Sequence, residues 1–151
     1  MSSKTEILIA DYKPFAPTYE VIPPAIPTGF EYKFYSTSCL LYEVQFARKE
    51  NSLAMILNFS VVGDEFDHEY PVTNRGEMYP VIATVIEVLC MFHQQHPLTN
   101  SYEFSGEHKD KNDTKEASIR TRLYLKFAQR YINSKWSKTI VGNRVVIAKK
   151  Q

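Results

Sequence analysis

The chain has 151 residues, of which 44% are hydrophobic, 23% charged and 13% aromatic, with a formal net charge of +1. A chain of that length suits one domain that removes roughly 70% of its unfolded surface from water, and so apolar and aromatic a composition excludes a disordered segment. Cys39 and Cys90 are its only cysteines, without CxxC or zinc-type spacing, and no run of 18 or more uncharged apolar residues occurs, so a disulfide scaffold, a structural zinc module and a membrane-spanning helix are all unexpected.

The small net charge conceals a division. Residues 3–106 hold six Lys/Arg against thirteen Asp/Glu, whereas residues 107–151 hold twelve against four. The first part is therefore −7 and the second +8, a split that gives one face a positive field or draws the two parts together.

Residues 1–28 carry Pro14, Pro17, Pro23, Pro24 and Pro27, which remove backbone donors and hold φ near −65°. This stretch is expected as an extended proline-rich arm, with residues 29–151 forming one domain. The N-terminus, Met1 to Glu6, has no apolar stretch of the secretory type, and a cytoplasmic location is expected. Three strand signals follow: Phe30, Tyr32 and Phe34; Tyr42, Val44 and Phe46; Leu53, Met55, Leu57 and Phe59, each alternating with other residues at period two. Such alternation marks an antiparallel sheet with one buried face. The polar stretch 48–52 is short enough to close a hairpin between the second and third.

The acidic stretch 63–69, with Asp64, Glu65, Asp67, Glu69 and His68, lacks the spacing of a calcium loop and reads as a solvated loop. A helix is expected over about 78–95, with Pro80 in its first turn. Its apolar arc runs through Met78, Val81, Ile82, Val85, Ile86, Val88, Leu89, Cys90 and Phe92, leaving Thr84, Glu87, Gln94 and Gln95 opposite. His93 falls inside the arc and is expected as a core histidine with one hydrogen bond. His96-Pro97 ends the helix, Ser101–Ser105 reads as a strand, and residues 108–114 as a charged loop. A second helix is expected over about 115–132 with Asp113 or Thr114 as its cap, and Asn143–Ala148 as a closing strand able to sit inside the sheet. No metal ligand set or cofactor motif is visible, and GxSxG, Walker, HExxH and dinucleotide signatures are absent.

The second helix carries the unusual chemistry. Ala117, Ile119, Leu123, Tyr124, Phe127, Ala128 and Tyr131 form its apolar side, and Arg120 falls in the middle of them, while Lys115, Arg122, Lys126 and Gln129 lie opposite. A guanidinium aimed at a core needs carboxylate or carbonyl acceptors. Glu116 is one turn away, and Glu77, Glu103 and Glu107 are further candidates, so Arg120 is expected in a buried ion pair that organises the fold; the alternative is a cleft where it meets an anionic ligand. Lys115, Arg122, Lys126, Arg130, Lys135 and Lys138, with Tyr131 and Trp136 among them, mix cations and rings as nucleic-acid surfaces do.

Thr73-Asn74-Arg75-Gly76-Glu77, Val81-Ile82-Ala83-Thr84-Val85, Phe92, Pro97, Gly106 and Arg120-Thr121-Arg122-Leu123-Tyr124 together resemble the pattern of a family of short bacterial and phage proteins of unknown function. That pattern combines a TNxGD-like turn, a VxATV helix, a strand with Gly and an RTRLY helix, and it spans about 73–131 of this chain. Two departures are present: Glu77 stands in place of Asp, and the stretch from Gly106 to Arg120 is longer. The resemblance implies the α+β fold and makes Glu77 and Arg120 natural partners.

The fold expected is therefore two-layer α+β, an antiparallel sheet of four to six strands with two helices on one face and the arm along an edge. The function expected is that of a non-enzymatic phage or bacterial accessory protein, in the host cytoplasm if phage-encoded. Its basic C-terminal surface (Lys115, Arg122, Lys126, Arg130 and Trp136) would meet nucleic acid or an acidic protein. Two other readings are an assembly subunit of a homo-oligomer or virion, and a small-anion-binding protein or enzyme with Arg120 in a pocket.

Overall fold

The computed structural model of the chain describes residues 17–62, 75–105 and 119–150, with backbone alone at 75–77, 105, 119 and 120. One sheet holds β1 (Val21–Ile22), β2 (Glu31–Tyr35), β3 (Leu41–Arg48), β4 (Ala54–Val61), β5 (Ser101–Ser105), β6 (Trp136–Val141) and β7 (Arg144–Lys149). Helix α1 (Arg75–Gln95) lies between β4 and β5 in the chain, and α2 (Ile119–Tyr131) between β5 and β6. The strand order is β1-β2-β3-β4-β5-β7-β6.

The α+β class is as the periodicity indicates, but seven strands exceed the four to six expected. The sheet is also mixed, because β4 and β5 run parallel while every other neighbouring pair is antiparallel. Parallel neighbours need a long crossover, and the 21-residue α1 supplies it. The surplus strands are the two edges. β1 is two residues long and stops at Pro23, which has no N–H for a ladder. In β6, Ser137, Lys138 and Thr139 dilute the apolar alternation of Trp136 and Ile140.

Period-two alternation decides which face is buried. Tyr32, Phe34, Tyr42, Val44, Phe46, Met55, Leu57, Phe59, Tyr102, Phe104, Val145 and Ile147 are all buried, and the register aligns them on one face: Tyr32 opposite Val44, Phe46 opposite Leu57, Leu57 beside Phe104. Both helices pack there. Phe92 of α1 stacks on Phe46 with centroids 3.9 Å apart, and Tyr124 of α2 lies 5.3 Å from Phe59 and 4.8 Å from Phe104. The hairpin over 48–52 forms as expected, with Lys49 N–H donating to the Ala54 carbonyl and Asn51 in the left-handed region that asparagine tolerates (φ 56°).

Of the arm expected over 1–28, residues 1–16 lie outside the described residues. From Pro17 the chain runs at the sheet edge, where it adds the short strand β1 to β2. Tyr19 N–H donates to Thr84 Oγ1 of α1 at 2.9 Å, its ring stacks on Phe34 at 5.9 Å, and Val21 pairs with Phe34 in the β1–β2 ladder. This corrects the polar placement of Thr84, which is fully buried because its hydroxyl is satisfied twice, by Tyr19 and by the Pro80 carbonyl one turn back. Pro80 also sits inside α1 rather than in its first turn, since the helix begins at Arg75.

The end of α1 is fixed by its own sequence. His96 stacks on Phe92 at 4.1 Å, and its Nε2–H donates to the Thr28 carbonyl at 3.1 Å, tying the loop before β2 to the helix. His93 is a buried core histidine as expected: Nδ1 is hydrogen-bonded to Tyr102 Oη at 2.7 Å, and its ring meets Trp136 edge-on at 5.3 Å. Burial first, with Lys149 and His96 adding to it, pushes its pKa down to about 4, so the ring is neutral at pH 7. Cys39 is exposed and Cys90 buried, both as free thiols.

Candidate functional site

Helix α2 is placed by both its ends. Near its start, Thr121, fully buried, donates to Asn143 Oδ1 at 2.8 Å in the turn between β6 and β7. That turn adjoins the Arg144–Ser105 pair, so α2 begins at the carboxyl end of β5. The two-residue loop Gly142-Asn143 has positive φ at glycine alone (64°), the arrangement of a II′ hairpin turn. At the other end, Asn133 accepts from Lys135 N–H through Oδ1 and from Lys138 Nζ through its carbonyl, turning the chain into β6.

The inward face of α2 is built of Thr121, Tyr124, Phe127, Ala128 and Tyr131, all buried, with Phe127 edge-on to Tyr79 of α1 at 5.8 Å. The outward face carries Arg122, Lys126 and Arg130, all exposed. They stand four residues apart, one above the next along the helix. Lys135 is exposed at the foot of the helix, with Lys149 and Lys150 exposed at the adjoining end of β7. Lys138 is half-buried, and its pKa is lowered by that burial and by the neighbouring Lys150.

Composition sharpens the picture. Residues 119–150 contain nine Lys/Arg and not one Asp or Glu. Arg144 is held by Glu103 Oε1 at 2.6 Å, on the sheet face opposite the helices, where Glu103 also takes Lys49. Arg122 and Lys126 make no ion pair among the described residues. At these two positions the outer face of α2 thus carries positive charge without a carboxylate partner among the described residues.

The expected site residues fare unequally. Arg122, Lys126 and Arg130 come together as one stripe. Trp136 does not join them: it is 1% exposed, packed against His93 and Tyr102, and Tyr131 is likewise buried. The reason is register, since Trp136 lies on the same helix-covered sheet face as Ile147 and Tyr102, against His93 near the end of α1. Lys115 and Glu116, the acidic stretch 63–69, Glu107, Ala117 and the caps Asp113 and Thr114 lie outside the described residues, as do the side chains of Glu77 and Arg120. Glu103, considered above as an acceptor for Arg120, is instead committed to Lys49 and Arg144. The Thr121–Asn143 clamp was missed by sequence reasoning; the Gly-Asn pair between Val141 and Arg144 is the hairpin signal that points to it.

A second feature concerns the parallel pair. The β4–β5 ladder runs from Ala54–Ser101 to Leu57–Phe104, while β4 continues to Val61 against β3 alone. Asn100 N–H donates to the Leu53 carbonyl, which sets the end of α1 and the start of β5 beside the start of β4. Both helices thus run back from the carboxyl ends of the parallel strands, and both begin on that side of the sheet. Among the described residues no cluster of His, Cys, Asp or Glu could hold a metal ion, and no helix is long and apolar enough to cross a membrane. Comparison with family models, with curated proteins and with solved structures gave no match.

Proposed function

We propose that the protein is a binding module for a polyanion, a nucleic-acid backbone or an acidic protein surface, engaged through the outer face of α2 and the basic foot formed with the β6–β7 hairpin. The observation that carries this reading is the stripe Arg122, Lys126, Arg130, exposed on a segment that has no carboxylate of its own. A concentrated positive field on a segment without acidic residues attracts polyanions and releases their counterions on contact. The fold supports it because the opposite face of α2 is locked into the core, so the cations are presented on a rigid element. The test is binding to heparin and to poly-glutamate across a salt titration. Affinity should fall steeply with salt and should weaken about tenfold or more in Arg122→Glu/Lys126→Glu, whereas absence of binding to any polyanion at low salt removes the proposal.

A second reading is favoured by the parallel pair. Ligands of open sheets with crossover helices sit outside the carboxyl ends of the parallel strands, where helix N-termini favour anions, and Arg120 belongs to the first turn of α2 there. In this reading the chain takes a small anion at that end, with Arg120 as its bidentate partner. Thermal unfolding with inorganic phosphate and with pyrophosphate tests it: a concentration-dependent rise in Tm that disappears in Arg120→Ala supports the site, and no rise with either anion removes it.

A further inference from the structure

Resting on the polyanion reading, we infer that the partner of the α2 stripe is double-stranded nucleic acid, held by its phosphates and without regard to base sequence. Two observations narrow the class. The first is the fate of the aromatic residues. Tyr124, Phe127, Tyr131 and Trp136, the rings of α2 and of the start of β6, are all buried beneath the cations. Single-stranded nucleic acid is held by rings on which its splayed bases stack, as well as by cations. Because the rings of α2 and of the start of β6 serve the core, the stripe itself offers phosphates a partner and offers bases none.

The second observation is spacing on a rigid element. At 1.5 Å per residue, Arg122 and Arg130 stand about 12 Å apart along α2 with Lys126 between them. That span matches the B-form major groove, about 12 Å across, so a helix lying over the groove brings its end cations to the phosphates on both rims. An acidic protein surface has no such fixed two-rimmed geometry, and a flexible single strand does not hold it. Phosphate contacts alone position a protein on a duplex and carry no sequence information.

The experiment is fluorescence anisotropy on the full chain with labelled probes: two duplexes of unrelated sequence and about 20 base pairs, one single strand of equal length, and poly-glutamate, each over a salt series. The two duplexes should bind within about twofold of each other and several-fold tighter than the single strand. Phosphate contacts from the three stripe cations predict a log–log salt slope near −2.7, at about −0.9 per phosphate. Arg122→Glu/Lys126→Glu should weaken duplex binding about tenfold or more and flatten the slope by about two. Its far-ultraviolet circular dichroism and melting temperature are read alongside, with Arg122→Gln/Lys126→Gln as the second variant if the first does not fold. Equal or tighter binding to the single strand, or strong discrimination between the duplexes, overturns the inference. Salt-sensitive binding to poly-glutamate that depends on Arg122 and Lys126, with neither duplex bound, overturns it while leaving the polyanion reading standing; binding to none of the probes removes both.

Discussion

Helices α1 and α2 lie on the same face of one sheet and share one hydrophobic core, yet they are committed to it to different degrees. From Val81 to Leu89 only Glu87 of α1 is not buried, because β2–β4, the Tyr19 segment and α2 enclose it on successive sides. α2 covers the outer strands β5, β7 and β6 and contacts α1 along one edge, which leaves half its circumference to solvent. A helix closed in on all sides is selected for packing alone. One that closes the core with half its surface can carry an unrelated chemistry on the other half, and here that half holds only Arg, Lys and Gln.

The contrast is broken most forcefully by emptying the α1 side. Phe92→Ala removes a fully buried ring stacked between Phe46 and His96, and should cost about 3–5 kcal/mol in urea unfolding. A loss below about 1 kcal/mol would mean that α1 is less enclosed than described. His93 gives a pH-dependent version of the same test. Its folded-state pKa of about 4 lies below its unfolded value near 6.5, so the unfolded chain takes the proton first. The contribution of neutral His93 is complete above pH 6.5, declines as pH falls and is spent below about 4, amounting to about 3 kcal/mol at most. His93→Gln should lack this component of the fall in stability between pH 6.5 and 4. Equal slopes in the two proteins would place His93 in a wetter setting.

On the α2 side the expected effects shrink. Thr121→Val keeps the shape and deletes the bond to Asn143, which should cost about 1 kcal/mol of unfolding free energy. Arg122→Glu/Lys126→Glu touches only solvent-facing groups and should leave stability within about 0.5 kcal/mol, while weakening polyanion binding about tenfold or more. A stability loss of 2 kcal/mol or more in that variant, beyond what ordinary surface positions show, would reveal that the stripe packs against something, and the division between a packing helix and a presenting helix would fail.

Legibility followed the same division. β2, β3, β4 and β5 were readable because the pleat forces strict alternation wherever one face is covered, and Tyr32, Val44, Leu57 and Phe104 obey it. α1 was readable from its apolar arc, and the stripe on α2 from four-residue spacing. What escaped depends on pairing between distant segments. Thr84 looks polar until Tyr19, 65 residues earlier, supplies a donor. Trp136 looks like a ring among surface lysines until its register sets it on the helix-covered face against His93 and Tyr102. The parallel β4–β5 pair has no local signature, since direction is set by the crossover and not by the strands themselves.

The strand order has one further implication. β7 follows β6 in the chain and yet is flanked on both sides, so β6 reaches the rest of the sheet only through it. The two strands join β5 as one hairpin closed at Gly142-Asn143, and β6 has no other neighbour in the sheet. A truncation inside β7 would leave the basic helix with β5 alone beneath it, so the cationic face should depend on residues 144–149 as much as on α2 itself.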